Sequence, residues 1–144
     1  MKPDNGQYYP SYLRLENILD SQHPLSFAEG QEPAHDEMLF IIIHQTKELW
    51  LKQIIRELQL ARSQIQNDAL VPAYKALARV SRIQAVMTLS WDVLSTMTPS
   101  EYTRFRHVLG PSSGFQSDQF RTVEYLVGLK APAFLKYQED RPDA

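Results

Sequence analysis

Three places in this 144-residue sequence combine residue types that could do chemistry. The first is FIIIHQTKELW, residues 40 to 50, where an ionisable imidazole, His44, stands in the densest apolar run of the chain. Burial is favoured on both sides of it. His44 is therefore either a core histidine whose nitrogens are satisfied by neighbours or a group facing a cavity in which something binds. The second is SEYTRFRHVLGPSSGFQS, residues 100 to 117. Tyr102 and Arg106 lie one helical turn apart and so share a face. A Gly-Pro-Ser-Ser-Gly loop follows at once, with hydroxyls and two glycines that permit close backbone approach. On a surface such a Tyr–Arg pair is ordinary, whereas a buried arginine offers a bidentate site for a carboxylate. The third place, Glu32-x-x-His35, is half of a carboxylate-bridged di-iron motif. No second E-x-x-H is present, and Pro33 sets Glu32 outside any helix, so a di-iron site is not expected.

Composition removes several function classes. Apolar residues make up 43% and charged residues 22%, ordinary values for a globular domain, and 144 residues suffice for one buried core. A net charge of −2 leaves no basic footprint, so neither nucleic acid nor an anionic membrane is expected as a partner. The chain has no cysteine, which excludes disulfides, thiolate metal sites and a cysteine nucleophile. The opening MKPDNGQYYPSY lacks the apolar core of a signal peptide, and no apolar run approaches membrane-spanning length; a soluble, cytoplasmic protein is expected. Nucleotide-binding glycine motifs, a G-x-S-x-G elbow and H-E-x-x-H are all missing.

The candidate residues need elements to hold them, and the periodicity predicts helices throughout. YLRLENILD, Tyr12 to Asp20, suits a short amphipathic helix, and residues 21 to 32, with Pro24 and Gly30, read as a loop. A long helix is predicted from Pro33 to Gln66, since proline is tolerated in a first turn and Asp36 and Glu37 favour that end. Along it Phe40, His44, Leu51, Ile54, Leu58, Ala61 and Ile65 form one stripe, which alone is the ordinary seam of a bundle. Asn67-Asp68 breaks this helix, and Asp68 is placed to cap a second long helix with Pro72 in its opening turn, reaching about Met97. Thr98-Pro99-Ser100-Glu101 is a capping-box signature; the helix it opens should stop at Gly110-Pro111. Ser117 is expected to cap a last helix through Gly128. The fold class is all-α, a helical bundle built on two long antiparallel helices with shorter flanking helices. It divides into an N-terminal arm with a short helix (1–32), a helical domain (33–137) and a frayed tail (138–144).

Two long segments, EPAHDEMLFIIIHQTKELWLKQ and TPSEYTRFRHVLGPSSGFQS, in this order and separation, closely resemble the tryptophan 2,3-dioxygenase family. The opening Tyr9-Pro-Ser-Tyr12-Leu13-Arg14-Leu15 is similar to that family's N-terminal segment, so the resemblance runs from about Tyr9 to Lys130. It implies a heme b cofactor, with dioxygen and L-tryptophan as substrates and N-formylkynurenine as product. His44 is then the catalytic distal histidine, whose imidazole bonds the indole N–H. Phe40 lies against indole and heme, and Ile41, Ile42 and Ile43 join it on the substrate side. Arg106 holds the substrate carboxylate, Tyr102 supports that polar end, and Ser113 stands beside the site. Tyr9, Tyr12 and Leu13 match residues lent to a neighbouring subunit's pocket in a homotetramer. Residues 1–32 are accordingly an intersubunit arm, and 33–137 the distal side of a heme and substrate site.

One departure from the family's pattern matters. The proximal heme histidine belongs to a C-terminal half that these 144 residues do not include, and His23, His35 and His107 match no axial-ligand position. No metal ligand is therefore expected within the chain, and heme should be held weakly or not at all by it alone. The sequence is expected to be a fragment of a longer enzyme or a shortened relative. The alternative to an enzyme is a non-catalytic helical oligomerisation module.

Overall fold

The computed structural model describes residues 8–27, 32–129 and 131–132. Among them every regular element is helical: α1 (Tyr9–Leu13), α2 (Leu15–Leu19), α3 (His35–Gln66), α4 (Leu70–Leu94), α5 (Pro99–Arg106) and α6 (Asp118–Leu126), with single 3₁₀ turns at His107–Leu109 and Gly114–Gln116. The all-α bundle expected from periodicity is what forms. The tail, 138–144, lies outside the described residues.

α3 is 32 residues long, about 48 Å of helix, and doubles back into α4 through a three-residue turn. Between them sits the core, Leu51, Ile54, Val80 and Ile83, completed by Val123 of α6 and flanked by Ile55, Leu58 and Met87. Towards the turn the buried seam residues shrink to Ala61, Ala73 and Ala76, and small side chains allow the two backbones to draw together. Ile65 does not extend the seam as its spacing suggested. It and Leu70, flanking the turn, are 52% and 45% exposed, because the tip of the hairpin projects past the core.

Two local expectations are corrected. The single helix over Tyr12 to Asp20 is broken at Arg14, which takes a left-handed conformation (φ 53°) and separates α1 from α2. Asp68 does not cap α4. It has φ 56° and shapes the turn, and α4 begins at Leu70 without a side-chain cap. By contrast, the Thr98 capping box is present in full: the Glu101 carboxylate accepts from the Thr98 N–H at 2.7 Å, and Thr98 Oγ1 accepts from the Glu101 N–H at 3.4 Å. Those bonds from Thr98 hold the Glu101 carboxyl below the usual pKa range. Ser117 caps α6 as expected, accepting from the N–H of Phe120.

The segment leading to α3 is tied to its first turns. Glu37 is buried, and its two carboxylate oxygens accept from the N–H groups of Leu25 and Ser26 at 2.8 and 2.9 Å. Burial opposes its ionisation. Hydrogen bonding from Ser26 and Leu25 and the nearby charge of His107 outweigh that, leaving the Glu37 pKa below its ordinary value. Gln45 also joins this segment, donating to the Ser21 carbonyl and accepting from Gln22.

Candidate functional site

α5 is too short to be stable alone, and it is held on α3 by aromatic packing. Phe105 is fully buried and meets Phe40 of α3 at 5.5 Å between ring centroids. Tyr102 stands edge-on to Phe105 at 5.3 Å and 6.1 Å from Phe40. Phe40 in turn lies 4.1 Å from the imidazole of His44. The two motifs, some sixty residues apart in sequence, are thus joined through four contiguous rings. Phe105 is the residue that the sequence reading missed. The i, i+3 spacing of Tyr102 and Phe105 on a capped helix was the available signal.

His44 is half-buried, and its Nδ1 lies 2.7 Å from the Phe40 carbonyl oxygen. That oxygen can only accept, so the proton is assigned to Nδ1. In the neutral ring Nε2 is then a bare acceptor. A free hydrogen-bond acceptor is therefore set up by a backbone carbonyl one turn earlier on the same helix.

Beside His44 opens a cavity of about 700 Å³ between α3, α4, α6 and the 113–117 loop. Its walls are largely apolar: Leu51, Ile54, Met87, Trp91, Phe115, Phe120 and Val123. Polar groups enter at a few points, namely His44, Lys47, Glu48, Gln84, Thr88, Ser113 and Ser117. This combination of size, apolar lining and sparse polar groups is that of a small-molecule or cofactor pocket. The loop wall is built locally. Ser113 Oγ accepts from the Phe115 N–H and the Ser113 N–H donates to Gln116, which folds the Gly114–Gln116 turn. Arg121, buried on α6, then anchors that turn by donating to the Phe115 carbonyl, and an ion pair with Glu124 on the same helix holds the guanidinium in place. Gln119 fastens α6 to α3 by donating to both the carbonyl and the carboxylate of Glu48, at 2.9 and 2.8 Å.

The other residues singled out from sequence are placed as follows. Ser113 lines the cavity with His44, while Phe40 and Tyr102 pack behind His44 and are not part of the lining. Arg106 is exposed and donates to the Gly110 carbonyl at 2.9 Å, at the bend where Gly110 has φ 54°. The three isoleucines point different ways, since consecutive helical residues are 100° apart: Ile43 is buried and Ile42 is 45% exposed, with Ile41 between. Tyr9 and Tyr12 are 70% and 69% exposed on α1, and Leu13 is 36% exposed. His23, His35 and His107 are exposed and stand off the cavity lining, and no cluster of metal-ligating side chains occurs among the described residues. No helix among them is long and apolar enough to cross a membrane.

The sequence profile described as tryptophan 2,3-dioxygenase matches residues 2–143. A protein of Caulobacter vibrioides named tryptophan 2,3-dioxygenase is 60% identical over 136 residues, covering 94% of this chain and 49% of its own length. Proteins of the same name from Bradyrhizobium diazoefficiens and Bacillus thuringiensis are 58% and 52% identical, over 89% and 94% of this chain and 44% and 46% of their own lengths. The chain spans about half the length of the curated relatives it matches.

Proposed function

Because the chain belongs to the tryptophan 2,3-dioxygenase family, we propose that it forms the substrate-side half of a heme-dependent dioxygenase that opens the indole ring of L-tryptophan to N-formylkynurenine. The observation that carries this reading is the bare His44 Nε2 at the edge of a large apolar cavity. A flat porphyrin needs apolar walls above and below it, and Leu51, Met87, Trp91, Phe115, Phe120 and Val123 supply such surfaces. When bound, the heme supplies the redox chemistry at dioxygen.

The chain's own residues bind and orient. His44 Nε2 accepts the indole N–H, which fixes the ring's rotation in the pocket. The ring of Phe40, tilted against His44 from behind, keeps the imidazole from turning. Tyr102, held by Phe40 and Phe105, fixes α5, and Arg106 at its end, exposed and off the cavity lining in this chain, takes the substrate carboxylate in exchange for its bond to the Gly110 carbonyl. Ser113 completes the substrate side of the pocket, while Ile41, Ile42 and Ile43 lie off its lining. An apolar, water-poor site strengthens each polar contact that remains.

The proximal ligand is supplied from outside these 144 residues, since His44 is the one histidine on the cavity lining. The chain alone is therefore expected to give hemin no histidine-ligated Soret band. Co-expressed with the C-terminal half of the Caulobacter relative, it should give that band and tryptophan-dependent N-formylkynurenine. If the relative's own two halves complement each other and this chain does not, the dioxygenase reading fails. A non-catalytic module is the weaker reading, as it would need neither the free imidazole nitrogen nor the cavity.

Assembly belongs to the same proposal. Tyr9 and Tyr12 stand out on α1 with little of the described residues against them and Leu13 is partly exposed, as residues lent to a neighbouring subunit of a homotetramer would be. Light scattering after size exclusion should show an oligomer that Tyr9→Ser with Tyr12→Ser disrupts. A clean monomer of the unmodified chain at high concentration would rule this arm out as an interface.

A further inference from the structure

Lys47 is the charged group on the cavity lining that nothing described above uses. It follows His44 by three residues on α3, so both side chains reach the same face, and both line the cavity. Its Nζ is shut off from water and has no hydrogen-bond partner among the described residues. What covers it is the indole of Trp91, whose ring centroid is 3.2 Å away. Burial lowers the Lys47 pKa from its ordinary value, as expected for an ammonium that has lost its hydration without gaining an acceptor.

Such an arrangement costs stability, and a methionine or leucine would pack the same stem without that cost. The neighbouring acid does not relieve it. Glu48, the other charged residue on the lining, has its carboxylate engaged by Gln119 of α6. Trp91, however, is 55% exposed and can swing aside without breaking core packing.

We propose that Lys47 receives a carboxylate of the ligand that fills this cavity, a propionate of the porphyrin, when Trp91 is displaced from its ammonium. The inference rests on the cofactor reading above. A charge-assisted hydrogen bond is stronger than the cation–π contact it replaces, so ligand entry is favoured by the exchange. Trp91 then closes against the porphyrin instead of against the lysine.

Metal-free protoporphyrin IX and its dimethyl ester test this on the 144-residue chain, because neither needs an axial ligand and they differ only in the acid groups. Binding is read by quenching of Trp50 and Trp91, the two tryptophans present. Lys47→Met should weaken protoporphyrin IX about tenfold and leave the dimethyl ester unchanged, while Lys47→Arg stays within about threefold of wild type. Without ligand, Lys47→Met should melt at or above the wild-type temperature, because an unpaired buried charge has been removed. If wild type and Lys47→Met bind protoporphyrin IX equally, Lys47 is not the partner and the cofactor reading stands. Equal weakening of acid and ester would also overturn the proposal, since it would make Lys47 a packing residue only. If the wild-type chain binds neither porphyrin, the proposal falls, because the Lys47 ammonium then gives the propionate no measurable hold; the cofactor reading is decided separately by the complementation experiment.

Discussion

Phe105→Ala should cost about 3–5 kcal/mol of folding stability, the range for emptying a fully buried aromatic site. Phe105 is 0% exposed and is the hinge between α5 and α3: it touches Phe40 on one side and Tyr102 on the other. Eight residues of α5 cannot remain helical on their capping box alone, so the loss should be local as well as global. Urea unfolding measures the first effect. Amide exchange measures the second, with protection lost over 99–109 before it is lost in the α3–α4 hairpin. Phe105→Leu should cost less than half as much, because most of the volume is retained. A change below about 1 kcal/mol for Phe105→Ala would mean that α5 is held by something other than the aromatic cluster.

The second large effect concerns the substrate carboxylate. In the assembly complemented with a relative's C-terminal half, Arg106→Leu should weaken L-tryptophan binding by about 3–5 kcal/mol, the cost of leaving one member of a desolvated ion pair without its partner. His44→Ala should be milder, about 1 kcal/mol, because a neutral hydrogen bond is lost and water can replace it. In the 144-residue chain alone the ordering should disappear. There Arg106 is exposed and spends one N–H on Gly110, and an ion pair formed in water is worth no more than about 1 kcal/mol. Tryptophan titrations of both preparations, followed calorimetrically, give the four values needed. Equal affinities of wild type and Arg106→Leu in the complemented assembly would remove Arg106 from the carboxylate site.

These two residues also show which signals a sequence displays and which it does not. Arg106 could be picked out because a cationic fork next to a glycine loop is a chemical signal, carried by residue type. Phe105 was marked only by its i, i+3 spacing from Tyr102, and its importance is conferred by Phe40 arriving from another element. Lys47 is similar. In sequence it is one lysine in an ordinary helical stretch, and only the indole of Trp91, 44 positions later, makes it a buried cation without an acceptor.

What the sequence determined by itself was everything set by local rules. Helical periodicity, the Thr98 box, the Ser117 cap and the Gly110 stop depend on neighbours within a turn or two, and those elements form where they were expected. The resemblance of two long motifs fixed the family in the same way, because it is a property of residue order. The exceptions are also local: Arg14 and Asp68 took left-handed conformations that a non-glycine residue seldom adopts, and pattern alone gave no warning of either. Tertiary structure decided the rest. Whether His44 was a satisfied core residue or a cavity residue depended on what stood across from it. The answer has two halves: its Nδ1 is satisfied by its own helix, and its Nε2 is left free beside an open cavity that α4, α6 and the 113–117 loop border. That space exists because large side chains meet at one end of the α3–α4 hairpin and alanines at the other, a difference that no single helix contains.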